Sequence, residues 1–69
     1  MYNWKIELIL HSGKELTVYY SGCENNSSAV ANKLLSGNIN TMNSFSNLDK
    51  TKEIFVKIGE IAAASISVA

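Results

Sequence analysis

Proline and arginine are both missing from this chain of 69 residues, and cysteine and histidine occur once each, as Cys23 and His11. Without proline, no loop is stiffened by a fixed φ. Without arginine there is no planar fork for bidentate recognition of a carboxylate, a phosphate or a guanine edge, so any bound anion is left to Lys, backbone N–H groups or neutral side chains. A single cysteine excludes an internal disulfide, and a secreted domain of this size would usually need several, so the expected compartment is the reducing cytoplasm. The sequons at Asn25 and Asn26 then read as accidents of an Asn- and Ser-rich loop. One Cys and one His fall short of the three or four ligands of a zinc site, and the six carboxylates lack the spacing of a calcium loop. Neither a metal nor another cofactor is expected.

An excess of charge of one sign is missing too. Six Lys balance six acidic residues, and the lysines are scattered, which argues against nucleic acid because phosphate backbones bind clustered cations. No run approaches the ~20 apolar residues of a membrane helix, and the start Met-Tyr-Asn-Trp-Lys-Ile-Glu lacks the cationic head and apolar stretch of a signal peptide. No membrane partner is expected.

What is present is ordinary for a globular domain: 46% apolar and 17% charged residues, giving a single unit with a polar, weakly charged surface. A chain this short buries only about 60% of its unfolded surface. With no disulfide or metal to staple it, self-association is the remaining common remedy, so a homo-oligomer is expected.

From Trp4 the apolar residues alternate: Trp4, Ile6, Leu8 and Leu10 against Lys5, Glu7 and His11, with Ile9 the exception. This is a strand with one face in the core. Ser12-Gly13-Lys14 turns the chain into a second alternating run, Leu16, Val18 and Tyr20, which makes a β-hairpin. After Ser21-Gly22 and the loop Cys23-Glu24-Asn25-Asn26 comes one helix ending near Ser36, capped by Asn26 or Ser27 and closed by Gly37, its apolar stripe being Val30, Ala31, Leu34 and Leu35. Thr41 to Ser46 reads as a short or bulged strand, and Asn47 to Lys50 as a turn. Ile54, Val56 and Ile58 alternate with Glu53, Phe55 and Lys57 in a further strand, and Ile66 and Val68 belong to a last one. Glu60 to Ala64 stays open between a helical turn, favoured by three alanines, and a tight hairpin after Gly59. The expected fold is α+β, in the order β-β-α-β-β-β: a small antiparallel sheet of four to five strands with one helix across a face.

Catalysis needs at least two polar groups within hydrogen-bond reach. His11 beside the hairpin turn reads as an exposed turn residue and Cys23 as an inert loop residue, so an enzyme is not expected. Ser12-Gly13-Lys14 lacks the second glycine and following helix of a phosphate-binding loop. Gly22, Asn25, Asn26, Ser27 and Ser28 lead into a helix N-terminus and are candidates for an anion or ligand loop, against plain capping. The stronger hint is aromatic: Tyr19 and Phe55, with Ile9, lie on the strand faces opposite the main apolar rows. Either the sheet curls enough to bury both faces, or these residues form a surface for self-association or a partner.

The stretches "WKIELILHSGKELTVYY" and "KEIFVKIGEIAAASISV", with a short helix between and abundant Asn, Lys, Ile and Ser, resemble small phage, prophage and mobile-element proteins of low-GC Gram-positive bacteria. The resemblance implies an accessory protein in the host cytoplasm and assigns no functional residue. The expected function is a self-associating, non-enzymatic binding protein that blocks or modulates a host protein through its sheet face or edges. The alternative is a binder that sequesters a small molecule or nucleotide signal, with Tyr19, Lys14 and the Gly22 to Ser28 loop meeting between subunits.

Overall fold

A computed structural model describes the whole of Met1–Ala69. In chain order it holds β1 (Tyr2–Leu10), β2 (Glu15–Gly22), α1 (Ser27–Leu34), β3 (Met42–Ser46), β4 (Glu53–Lys57), a 3-10 turn over Ile58–Glu60 and β5 (Ile61–Val68). The α+β class and the β-β-α-β-β-β order hold, with five strands in one antiparallel sheet.

The β1–β2 hairpin forms where expected. Leu10 N–H donates to the Lys14 carbonyl and Gly13 N–H to the Leu10 carbonyl, both at 2.9 Å, with Gly13 at φ +90°, the three-residue loop in which only glycine sits comfortably at the last position. Helix α1 begins where Asn26 Oδ1 accepts the Ala29 N–H at 2.8 Å, so Asn26 and not Ser27 is the cap. It stops at Leu34, short of Ser36, and the Asn43 side chain donates to the Leu34 carbonyl, tying the helix end to β3. Val30 and Leu34 are buried; Ala31 and Leu35 are half-buried.

The strand order is β4-β3-β2-β1-β5. The two edge strands are therefore consecutive in sequence. A flat sheet of this width would hold its edges roughly 19 Å apart, whereas the steps from Lys57 to Ile61 reach at most ~14 Å even when extended. The sheet has to curl back on itself. It parts between β2 and β3, which share the single pair Tyr19 with Ser46, so the β3–β4 ribbon folds over the β2-β1-β5 meander. The corner is held from both sides: Ile58 N–H donates to Thr41 O, Gly59 N–H to Ile39 O and His11 N–H to Glu60 O, each at 2.9 Å. A Cβ at Gly59 would lie 2.8 Å from the Ile39 carbonyl oxygen, so the corner requires glycine.

This corner overturns both expectations for Glu60 to Ala64. The helical turn lies earlier, over Ile58–Glu60, and no hairpin follows Gly59, because β5 pairs with β1 and not with β4. Three alanines prefer a helix by only a few tenths of a kcal/mol each, and the backbone ladder to β1 outweighs that. The core sits inside the curl: Trp4, Ile6, Leu8 and Val18 from the meander, Phe45 and Val56 from the ribbon, and Val30 and Leu34 from the helix that closes the open side. No helix is long and apolar enough to cross a membrane.

Candidate functional site

Register decides which side chains remain outside. Tyr19 stands between Lys5 on β1 and Ser46 on β3, and Ser46 faces Glu53 on β4. These residues make one row across the outer surface. Two steps back along β3, Ser44 faces Phe55, and Met42 faces Lys57 beyond it. Alternation keeps Tyr19, Phe55 and Met42 on the same side. Phe55 is 59% and Met42 56% exposed, and as diagonal cross-strand neighbours they lie within reach of each other. Tyr19 is half-buried. The curl therefore buries the inner face and leaves this apolar patch outside. Met42 was missed in the sequence as a member of it. The signal was there, since Phe45 facing inward puts Met42, three residues earlier on a strand, outward.

Ile9 does not join the patch. It faces Glu15 on β2 and Ala63 on β5, about 13 Å along β1 from the Tyr19 row. There it lines a shallow cavity of about 290 Å³ with Glu7, Glu15, Thr17, Ala63 and Ser65. Two carboxylates and no cation border this cavity, a lining that repels phosphate.

The candidate ligand loop serves a structural network. Glu24, unremarkable in the sequence, is its centre: the Tyr20 hydroxyl donates to Glu24 Oε1 at 2.7 Å, Lys33 Nζ lies 3.4 Å from Oε2, and Trp4 Nε1–H donates to the Glu24 carbonyl at 3.2 Å. Lys33 also lies 5.7 Å from the Tyr20 ring centre. The Tyr20 hydrogen bond, then the backbone and Lys33, hold the Glu24 carboxyl below its ordinary range. Tyr20 and then Glu24 push the Lys33 ammonium up. Gly22 is buried because the Tyr20 hydroxyl and Glu24 carboxylate lie directly over its Cα, where a Cβ would collide with both. Asn26 caps the helix and donates to Asn25 Oδ1, while Ser27 and Ser28 stand exposed on the first turn. With a carboxylate in the loop and Asn26 occupying a first-turn amide, the arrangement accounts for the capping reading.

Lys14 lies at the opposite end of β2 from this loop, roughly 26 Å away along the strand, so within one chain the two do not share a site. The same length of strand separates His11, before β2, from Cys23, after it.

No family model, no curated protein and no solved structure matches this chain.

Proposed function

We propose that the protein is a non-enzymatic, self-associating binding protein that engages a partner protein in the cytoplasm, as a phage or mobile-element accessory factor acting on a host protein would. The observation that carries this reading is the outer patch of Phe55, Met42 and Tyr19. In so small a molecule, two large apolar side chains more than half exposed on adjacent rows, rimmed by Lys57 and Glu53, have the composition of an interface centre with a polar rim. Truncating such an anchor removes binding without removing any core contact.

The test uses the chain as bait against host lysate, beside Phe55→Asp. One protein retained in stoichiometric amount by the original chain, and lost with Phe55→Asp at unchanged melting temperature, is the expected result. Retention of nothing, or retention indifferent to Phe55, would overturn the reading. The nucleotide-sequestering alternative draws no such support, because the largest cavity is lined by Glu7 and Glu15, has no cation in its lining and lies at the opposite end of β2 from the Gly22 to Ser28 loop.

A further inference from the structure

The two free edges of the sheet differ in length and in charge, two of the features that control edge-to-edge pairing. Strand β4 is five residues long and carries Glu53 and Lys57. Strand β5 is eight residues, Ile-Ala-Ala-Ala-Ser-Ile-Ser-Val, with no charge, no glycine and no proline. Natural edges are blunted by shortness, charge, proline, bulges or a covering element. β4 uses the first two; on β5 the one irregularity, a shift of register against β1 at Ile9/Leu10, lies at its start and leaves Ala63 to Val68 regular, and helix α1 lies alongside at Ala64 and Ile66 while Ala64 and Val68 stay exposed.

The phase of the ladders shows what this edge presents. Leu10 exchanges backbone bonds with the β2 side, through Lys14, and Ala69 N–H donates to Asn3 O at 3.1 Å on the β5 side. Because hydrogen-bonded and non-bonded pairs alternate, Lys5, Glu7 and Ile9 turn their backbone groups toward β5, and Ser67, Ser65 and Ala63 return them. The N–H and C=O groups of Ala64, Ile66 and Val68 therefore point away from the sheet. No side-chain hydrogen bond reaches any of them.

We propose that this edge is the seam of a two-fold homodimer, β5 pairing antiparallel with β5 of a second copy to extend the sheet across both chains. A two-fold axis normal to the sheet keeps inner faces together, so outward-bonding residues meet one another: Ile66 pairs with Ile66 of the second copy, and Ala64 with Val68 of the second copy. That register buries Val68, which is 78% exposed in the single chain. It also aligns charge. Lys5 lies beside Ser67 and Glu7 beside Ser65, and the seam sets Ser67 against Ser65 of the second copy. Lys5 of each chain then faces Glu7 of the other across two small serines, twice by symmetry. An uncharged strand flanked by one cation and one anion at this offset is complementary to itself, which argues for a second copy over a foreign strand. The seam deepens the self-association in the reading above but uses none of the Phe55 patch, so Phe55→Asp leaves the dimer intact and Ala64→Pro leaves the patch intact.

Light-scattering mass over a concentration series is the measurement, with circular dichroism confirming the fold of each variant. The original chain is expected to be a dimer. Ala64→Pro, which removes an outward N–H that β1 does not use, is expected to be a folded monomer. Lys5→Glu and Glu7→Lys, each placing like charges across the seam at roughly 14 Å, are expected to weaken the dimer by about two- to fivefold at low salt and less at high salt; mixing the two variants is expected to restore it as a heterodimer. A monomer at every concentration, leaving the edge to another protein's strand, would overturn the proposal. So would a dimer indifferent to Ala64→Pro, or singly charged variants whose mixture behaves as the separate proteins do.

Discussion

Glu24 carries more of the architecture than any other polar residue. It joins β2 through Tyr20, β1 through Trp4 and α1 through Lys33, which fixes the helix against the sheet at the end where the chain leaves β2. Its carboxyl is held low, so the folded state binds its proton more weakly than the unfolded chain does. That contribution is fully present above the ordinary glutamate value of 4.5 and is lost as pH falls through the lowered one. Asp49 follows the same sign, its carboxyl held low by the Thr51 hydroxyl at 2.8 Å. Lys33 has the opposite sign: its contribution is complete below 10.5 and is lost as pH rises through the raised value. Melting temperature recorded from pH 6 down to pH 3 is expected to fall less steeply in Glu24→Gln than in the original chain, and an unchanged slope would show that the network is not coupled to folding. None of this was legible in the sequence. Glu24 looked like one of six carboxylates without a calcium-loop spacing, because its partners come from strands and a helix whose approach is set by the curl.

Individual elements were far more legible. The alternation of Trp4, Ile6 and Leu8, the Gly13 turn, the Asn26 cap and the Asn47 to Lys50 turn are local signals, read by periods and caps that need no tertiary knowledge. The failure came at the corner. Glu60 to Ala64, following Gly59, offers two local answers, and the chain takes a third because Gly59 is pressed against the Ile39 carbonyl and Ile61–Val68 finds its partner in β1. Gly59→Ala tests this directly. Its Cβ would meet backbone, which cannot rotate away, so a loss of about 1–3 kcal/mol is expected, the usual cost of overpacking. Chemical denaturation should report it, and a neutral result would mean that the corner has slack.

For the molecule as a whole, margins are narrow. A chain of this length is expected to be stable by about 3–10 kcal/mol, and its apolar centre rests on eight buried side chains. Ile6 is fully buried, on the interior strand β1. Ile6→Ala should cost about 2–5 kcal/mol, and with each kcal/mol worth about 4–8 °C in a domain this small, a melting-temperature drop of ten degrees or more is expected in a thermal scan. A drop of only a few degrees would place the weight of the core elsewhere.

The second ladder of β1 is supplied by the strand most distant from it in sequence. β1 is made before the other four strands, and its second neighbour β5 only after them, so the ladder between the two also closes the longest loop of the sheet. Before that moment β1, with its Ile and Leu residues, presents an open edge next to an unfinished core. A ribosome stalled before Ile61 would therefore release an aggregation-prone intermediate, not a smaller working protein. Yield in the cell would depend on translation passing through β5 as much as on the stability of the folded product.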